Sequence, residues 1–577
     1  MSYFLKKSMP SKKGLYLQIY QTNYIPGIGK RNKSYQALGY ASDLIAQGIS
    51  DPIAYAKKVI FELNQSNDGR KAIQIGDASV SKNIGYFLLK AMLDYLEIDS
   101  YLQMLSSNKK FQFKFSDFIR AIIYAQVVNP GSKHNAFERV FPNLYNCPTF
   151  SYDQILDTIQ YIGDDYQKFI ELFNRQIGQK WKRKIGRSFF DCTNYYFEVD
   201  LPYEDKQFGP SKEERHLPII SQALLLDEDQ IPLAMSLFPG NESEKPHMRK
   251  TIENLKERFE IHTRIVQVAD KGLNCARNIH AATIEARDGY IFSKSVHGTG
   301  LPKIEKTWLL LDNEANVWTN VLDKSGKVLY RYKECIDIFP YKFKNDANEE
   351  VTFSVKEKRI VIFNPSLANK QRAQIQKQID KAKAIMSYKQ AQKEEYGDSL
   401  KYVNFIGSDH NGEIIKPTPS LNLNKINEDL RLAGYNLLVT SEHTKSARDI
   451  YEAYHGLWRI EESFRVMKTY LEARPVYLQT KESIYGHFTI CYLALTVLRL
   501  LELKIFKDEL PIGRIVEFIR NYNVTQAMDG SLINNASSSS TLEAIKGKLG
   551  LAKLTNMFLT KKDVENILNV EIDSEEV

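Results

Sequence analysis

The stretch Arg187-Ser-Phe-Phe-Asp-Cys-Thr-Asn-Tyr-Tyr-Phe197 decides the fold, because here the apolar residues change from helical spacing to the alternation of a β-strand. Two further strands are predicted at 217–226 and 231–238, with a polar turn between them. A helix over about 245–259 then leads into a buried strand that ends at Asp270. The 577-residue chain therefore contains an α/β region built from closely spaced strands.

A strand at 290–294 completes this region, so that three sequential strands precede a helix and a parallel strand. That is the order of elements in a ribonuclease-H-like sheet. Upstream, the apolar spacing between 84 and 182 is helical and predicts a helical domain. Downstream, a long polar helix is predicted near 367–395. Short alternating runs predict further strands at 307–311, 327–332, 351–355 and 359–363.

The charge of the chain is unevenly distributed. Lysine and arginine exceed aspartate and glutamate by 78 to 70, a net charge of only +8. Residues 1–40, however, carry seven basic and no acidic residues, whereas the last fifteen carry six acidic and no basic residues. A basic head favours binding to a polyanion by counterion release, although a solvated terminus accounts for the charge equally well.

Cysteine usage and hydropathy predict a location in the cytosol. The five cysteines are scattered without paired spacing, which argues against a disulfide framework and favours a reducing compartment. We expect no secretory signal and no contact with a membrane. The longest apolar stretch, 484–506, is interrupted by charged residues such as Arg499 and Glu502, which favours a buried core helix over a membrane span.

Two aspartates occupy notable strand positions. Asp191 lies within an apolar strand, and Asp270 ends a buried one, where a carboxylate is well placed to bind a hard cation. A turn or a helix cap is the alternative for each residue taken alone.

A helix predicted over 448–474 carries the third acid. Tyr454, Glu461 and Lys468 recur every seven residues and share one face, which Arg465 joins four residues after Glu461. Such a row would hold a metal at the glutamate and grip phosphate on either side. An ordinary salt-bridged surface helix is the alternative. On the other faces, Trp458 is expected to pack on the sheet and Glu462 to be structural.

Together, Asp191, Asp270 and Glu461 form a coherent candidate for a catalytic and metal-binding triad. Three carboxylates of this kind can hold two divalent ions about 4 Å apart, as in phosphoryl transfer by two metals. Mg²⁺ is the expected ion, with Mn²⁺ as a substitute, because Mg²⁺ prefers carboxylate and phosphate oxygens.

Four motifs carry a resemblance to a known family. They are Asp191-Cys-Thr193, Phe238-Pro-Gly-Asn241 with Glu244, Val268-Ala-Asp270-Lys-Gly272, and Tyr454-His-Gly-Leu-Trp-Arg-Ile-Glu461-Glu-Ser-Phe-Arg-Val-Met-Lys468. The chain thereby resembles, over roughly 185–480, the DDE insertion-sequence transposases with a Tyr-Arg-Glu-Lys signature. The arginine of that signature would stand at 457, where this chain has Leu457. Arg465 is a possible replacement for the missing cation.

The resemblance implies a cut-and-paste transposase that nicks DNA, forms a hairpin and joins the freed 3′ end to target DNA. Asp191, Asp270 and Glu461 correspond to the metal-binding triad of the family. Tyr454, Arg465 and Lys468 are the residues expected to contact DNA. The implied partners are the inverted-repeat ends, target DNA and a second copy of the chain, in a bacterial cytosol close to the nucleoid.

The expected fold is thus a multidomain α/β protein, with a ribonuclease-H-like core interrupted by a mostly β insertion domain. In chain order its segments are a basic hairpin and helix (1–70), a helical domain that binds DNA ends (84–182), the first part of the core (185–295), the insertion domain (296–441), the second part of the core (442–482) and a helical region that is a candidate for dimerisation (483–577).

Three other functions remain open on the sequence alone. A metal-dependent nuclease of the same fold would cut DNA without joining it. A DNA-binding relative without catalysis would keep the basic surfaces only. A two-carboxylate glycoside hydrolase would need neither a phosphate grip nor a divalent ion.

Overall fold

The computed structural model divides the chain into two compact units, Met1–Val80 and Ser81–Val577. The residues it describes are 2–10, 13–25, 29–67, 80–107, 109, 111–213, 216–297, 305, 308–309, 318–386, 393–408, 414–526 and 532–573.

The first unit is an antiparallel sheet in the order β1-β2-β3, covered on one face by two helices. Its elements are β1 (Ser2–Ser8), β2 (Tyr16–Ile25), β3 (Gly29–Tyr40), α1 (Ala41–Ala46) and α2 (Pro52–Asn67). Leu17, Leu44 and Ala56 form the centre of its small core. The carboxylate of Asp51 accepts the amide protons of Ile53 and Ala54, which fixes the start of α2. The predicted hairpin is therefore part of a sheet of three strands.

The second unit opens with a short strand and a group of helices. They are β4 (Lys82–Asn83), α3 (Phe87–Tyr95), α4 (Asp99–Leu105), α5 (Phe115–Val128), α6 (Tyr152–Asp164) and α7 (Tyr166–Lys180). A capping box of Ser151 and Gln154 begins α6. These helices bury their apolar stripes in the large core of the unit.

A large mixed sheet, its connecting helices and a separate two-stranded sheet follow, within residues 187–440. The elements are β5 (Arg187–Tyr196), β6 (Ile219–Leu226), β7 (Pro232–Pro239), α8 (Glu244–Arg258), β8 (Val266–Ala269), α9 (Ala276–His280), β9 (Gly289–Lys294), β10 (Thr319–Leu322), β11 (Val328–Lys344), β12 (Glu350–Phe363), α10 (Pro365–Met386), β13 (Val403–Ser408), β14 (Ile414–Leu421), α11 (Leu423–Leu432) and β15 (Tyr435–Thr440).

In the described part of the chain this sheet has nine strands, in the order β10-β11-β12-β15-β9-β8-β5-β6-β7. Strands β5, β6 and β7 form an antiparallel meander, and β8 and β9 run parallel to β5. The predicted mixed α/β architecture is present, with β5 and β8 near the middle of the sheet.

Strands from the segment predicted as an insertion extend the same sheet. β15 pairs with β9, and β12 and β11 continue outward from β15, whereas β13 and β14 pair with each other. The two short strands expected at 351–355 and 359–363 are one continuous strand, β12. The prediction of a strand at 307–311 is wrong at Trp308 and Leu309, because both residues are helical. The other residues of that run lie outside the described part of the chain. A short apolar run does not by itself distinguish a buried helix from a strand.

The last part of the chain is mostly helical. Its elements are α12 (Ala447–His455), α13 (Trp458–Arg465), α14 (Lys481–Leu500), α15 (Ile512–Asn521), β16 (Asn523–Gln526), β17 (Leu532–Asn534), α16 (Ser540–Lys548), β18 (Phe558–Leu559) and α17 (Lys561–Leu568). A π-helical turn, Val466–Tyr470, follows α13, and another, Leu501–Ile505, follows α14. The short strands form a second sheet, in the order β18-β17-β16-β4.

Helix α14 is the central helix of the second unit, and it contacts α3, α5, α6 and α7. Five apolar residues of α14 are fully buried in the core of the unit and are therefore not available for a dimer contact: Ile490, Leu493, Leu495, Val497 and Leu498. The dimer contact expected within 483–577 otherwise stays a prediction. Among the described residues, no helix is both long enough and apolar enough to cross a bilayer.

Candidate active site

The register of β5 and β8 places two of the predicted acids side by side. These parallel strands pair from Arg187 with Val266 to Phe190 with Ala269. Asp191 directly follows Phe190, and Asp270 directly follows Ala269 at the end of β8. Asp191 lies two residues after Phe189, and Asp270 lies two residues after Val268, so each aspartate shares a face with that apolar residue. The side chains of Phe189 and Val268 lie in the core on the helical side of the sheet. The two carboxylates therefore lie on one face, at adjacent strand positions.

The helices that carry the third acid cover this face. Helix α12 contacts β8 and β9, and α13 contacts β5 and β6. Between the two helices, Gly456 lies directly on Phe189, and a Cβ there would come within 2.5 Å of the ring. Glycine thus allows the helix pair to approach the strand of Asp191 closely. The single helix expected over 448–474 is in fact divided at this point.

Tyr454 connects the helix to the strand end. Its hydroxyl donates a hydrogen bond of 2.9 Å to Oδ1 of Asp270, and it also interacts with the side chain of Ser293 on β9. Burial raises the pKa of Tyr454, and the negative charges of Asp270 and Glu461 raise it further. Glu461 is therefore near enough to Tyr454 to act on it electrostatically, although the structure shows no direct bond between them.

The carboxyl group of Asp191 is in an unusual environment. Burial raises its pKa to about 6, and the nearby charges of Glu244 and Asp270 act in the same direction. The ammonium group of Lys212 and the amide of Cys192, which donates to Asp191 Oδ1 at 2.8 Å, oppose that rise. The carboxyl group is therefore mostly ionised at neutral pH, and a bound cation beside it would stabilise the charged form further.

Two cations near Lys212 form a cradle, which consists of Lys468 and Arg474. Both form ion pairs with the carboxylate of Glu213, and Nζ of Lys468 lies 3.0 Å from Oε1 of Glu213. Burial lowers the pKa of Lys468, and Glu213 opposes that effect. Arg474 and Lys212 lower it further, so three cations lie within electrostatic range of one another. Such a group of cations suits an oxyanion such as a phosphate group.

Arg465 does not join this cradle. Its guanidinium lies 3.4 Å from Glu462, and its side chain is exposed. It lines a surface cavity of about 610 Å³ together with Arg514 and Arg520. Trp458 is also exposed, at 50% of its surface, so the expectation that it packs on the sheet is wrong. The guanidinium of Arg459 covers its ring instead.

Glu462 has the structural role expected for it. It accepts hydrogen bonds from Arg459 and from Arg499, which is fully buried in α14. Arg499 also pairs with the buried Glu502. The network fixes α13 to α14. Glu461 precedes Glu462 by one residue and therefore points in a different direction, about 100° around the helix.

Sequence reasoning missed four residues of this region: Lys212, Glu213, Ser293 and Arg474. Lys212 donates to the carbonyl group of Cys192 and pairs with Glu244 at 3.2 Å. Lys212 and Glu213 lie in the connection between β5 and β6, which has no periodic pattern that would mark them. Ser293 lies on an ordinary buried strand. Their roles depend on contacts that only the folded chain makes.

The donor chemistry of the site suits a hard divalent cation. Asp191 and Asp270 present carboxylate oxygens from adjacent strands, the ligand type that Mg²⁺ prefers. Across the described ranges, however, no group of three or more histidine, cysteine, aspartate or glutamate side chains is arranged to hold a metal ion. Asp191, Asp270 and Glu461 are thus on one face of the sheet but not gathered into a closed cluster.

Comparisons with known proteins give little further information. No family model matches the chain, and no curated protein matches it. Among solved structures, it is similar to a piggyBac transposase in a synaptic complex with hairpin DNA, determined by cryo-EM. That likeness covers 84% of each chain at 10% sequence identity, with a TM-score of 0.32. A TM-score of this size does not establish a shared fold.

Proposed function

We propose that this chain is a DNA transposase, which cuts DNA at the inverted repeats of an insertion sequence and joins the freed end to target DNA. The observation that carries the proposal is the placement of Asp191 and Asp270 at adjacent positions of parallel strands, beneath the helix pair that bears Tyr454 and Glu461. The order β7-β6-β5-β8-β9, with the first three strands antiparallel, supports a ribonuclease-H-like core.

Mg²⁺ is the proposed cofactor, with Mn²⁺ as a substitute, held by Asp191, Asp270 and Glu461. A bound pair of ions would activate the attacking oxygen and neutralise the leaving oxygen of a phosphoryl transfer. Tyr454 orients the carboxylate of Asp270 through its hydrogen bond. The three acids form no closed cluster in the described structure, so the proposal requires Glu461 and the two aspartates to come closer together when the site is filled.

The cations beside the triad provide the DNA contacts in this proposal. Lys468 and Arg474 hold a backbone phosphate, and Lys212 lies between them and Asp191. The partners are then the two ends of the element and the target DNA. Two ends require two active sites, so we propose a dimer in the complex that joins them, within the bacterial cytosol.

The reaction products distinguish this function from cleavage alone. The test incubates the full chain with a duplex that carries the DNA flanking its own gene, in Mg²⁺, in Mn²⁺ and in excess chelator. Denaturing gels then separate nicked, hairpin and joined strands. We expect metal-dependent nicks followed by hairpins and joined products. Nicks without either later product would favour a plain nuclease, and turnover in chelator would favour a hydrolase of another class.

Three variants make that test specific. Asp191→Asn and Glu461→Gln should each lower cleavage by at least a hundredfold while leaving DNA binding within about threefold. Glu452→Gln is the matched control, because Glu452 is an exposed acid of α12 that pairs with Arg448. If Asp191→Asn retained cleavage, or if Glu452→Gln lost it, the assignment of the catalytic triad would be wrong.

A further inference from the structure

The three-stranded sheet of the first unit has a face that points away from α1 and α2. Leu17 and Ile19 of β2 are fully buried on the side of the helices, together with Leu44 and Ala56. Because side chains alternate along a strand, the residues between and beside them on β2 lie on the other side of the sheet. We name that side the outer face.

Strand pairing identifies the residues of the outer face. Tyr20 pairs with Phe4 on β1, Gln18 with Lys6, and Thr22 with Asn32 on β3. Lys30 lies two positions before Asn32 and shares its side of the strand. Six residues define the outer face for the experiments below: Lys6, Gln18, Tyr20, Thr22, Lys30 and Asn32.

This face combines cations with groups that form hydrogen bonds. Lys6 lies over the ring of Tyr20, with its Nζ 4.5 Å from the ring centre. Thr22 donates a hydrogen bond of 2.8 Å to Asn32. Residues 1–40 contain no aspartate or glutamate, so no carboxylate of the sheet strands offsets these lysines. The acidic residues of this unit come later in the chain, at Asp43, Asp51, Glu62, Asp68 and Asp77.

We propose that the outer face binds duplex DNA by entering its major groove. The major groove of B-DNA is about 12 Å wide and admits a two-stranded ribbon, here β2 and β3. The axis of β1 lies about 5 Å further along the sheet, which places Lys6 toward the phosphates at the edge of the groove. Lys6 and Lys30 would contact phosphates, whereas the amides of Gln18 and Asn32 suit the edge of adenine. The inference rests on the proposed function and names the surface by which the chain recognises its DNA, separate from the site of cleavage.

The packing of the Tyr20 ring favours the binding of duplex DNA over that of a single strand. Single-strand binders stack bases on open aromatic rings. The ring of Tyr20 is instead half-buried, between the ring of Phe4 at 5.9 Å and the ammonium group of Lys6. It therefore offers little free surface for a base and serves to hold the lysine in place.

The first experiment measures the salt dependence of DNA binding by the full chain. The probes are a fluorescein-labelled 30-base-pair duplex of random sequence and either strand alone, all in chelator so that no cleavage occurs. For the double variant Lys6→Ala/Lys30→Ala, we expect the slope of log affinity against log salt to fall by about 2. Lys57→Ala/Lys58→Ala, on the exposed surface of α2, should leave the slope unchanged.

The outcomes separate this inference from the proposed chemistry. An equal change of slope in both double variants, no change in either, or tighter binding of the single strand than of the duplex would overturn it. Because the assay needs no metal, failure of strand transfer leaves its result intact. In a second experiment, Gln18→Ala/Asn32→Ala should abolish enrichment from a randomised duplex library while keeping the slope. Unaltered enrichment would overturn the assignment of sequence recognition to this face.

Discussion

The hydroxyl group of Tyr454 lies 2.9 Å from a carboxylate oxygen of Asp270, although 184 residues separate the two in the chain. The contact joins the helix of Glu461 to the end of a central strand. It also occupies one oxygen of a carboxylate that the proposed function assigns to a metal ion. A tyrosine in this position orients the carboxylate and holds the helix in register with the sheet.

Removal of that hydroxyl group should therefore weaken metal binding without unfolding the chain. For Tyr454→Phe we expect a tenfold to hundredfold loss of Mn²⁺ affinity, roughly the effect of losing a hydrogen bond to a ligand. Titration calorimetry measures it directly. Tyr451→Phe, on the same helix but in contact with Tyr330, is the control and should stay within about twofold of the parent chain. Equal affinities in all three proteins would show that Tyr454 does not orient a ligand.

Glu213 should act as a competitor for phosphate. Its carboxylate occupies the cradle of Lys468 and Arg474, so DNA must displace it. We expect Glu213→Gln to tighten duplex binding several-fold, because the anion that competes with phosphate is gone. Lys468→Ala should weaken binding and lower the salt slope by about 1. Fluorescence anisotropy at several salt concentrations measures both effects. Weaker binding by Glu213→Gln would mean that this residue supports the cradle instead of blocking it.

The close approach at Gly456 predicts a loss of stability on substitution. A Cβ at this position meets the ring of Phe189, which is buried in the core. Gly456→Ala should therefore lower the free energy of unfolding by about 1–3 kcal/mol, as overpacking does. Gly547→Ala is the control, since Gly547 lies in α16 with open space around it. Urea denaturation compares the two, and an unchanged midpoint for Gly456→Ala would contradict the packing described.

A buried histidine should make the chain sensitive to acid. Burial, and to a smaller extent the neighbouring Lys133, lower the pKa of His487 to about 3. Between about pH 6.5 and 3 the unfolded chain binds a proton that the folded chain excludes. The stability that neutral His487 contributes is therefore fully present above about pH 6.5. As the pH drops below that value, the free energy of unfolding falls by up to about 1.4 kcal/mol per pH unit.

His487→Gln tests this dependence, because an amide can still donate to the carbonyl group of Ala473, which lies 3.1 Å from the imidazole. We expect its unfolding free energy to fall less steeply between pH 6 and pH 4 than that of the parent chain. His262→Gln replaces an exposed histidine and should follow the parent curve. Parallel curves for all three proteins would show that His487 is not the acid-sensitive group.

The sequence alone determined which segments alternate as strands and which carry a helical stripe, because local periodicity records which face of each element is apolar. It thereby indicated strands that end near Asp191 and Asp270 and a helical region that bears Tyr454 and Glu461. The repeat of seven residues along that region was visible, but the division at Gly456 was not. A glycine in a helix has several possible reasons, and only the ring of Phe189 supplies the one that applies here.

Only the tertiary structure decided which distant groups meet. It placed Glu213 between Lys468 and Arg474, turned Arg465 toward Glu462, and buried α14 within its own chain. Apolar spacing cannot distinguish a helix that packs in its own core from one that packs on a second copy, since both bury the same stripe. Strand register and side-chain packing fix contacts between residues far apart in sequence, and no local pattern encodes them.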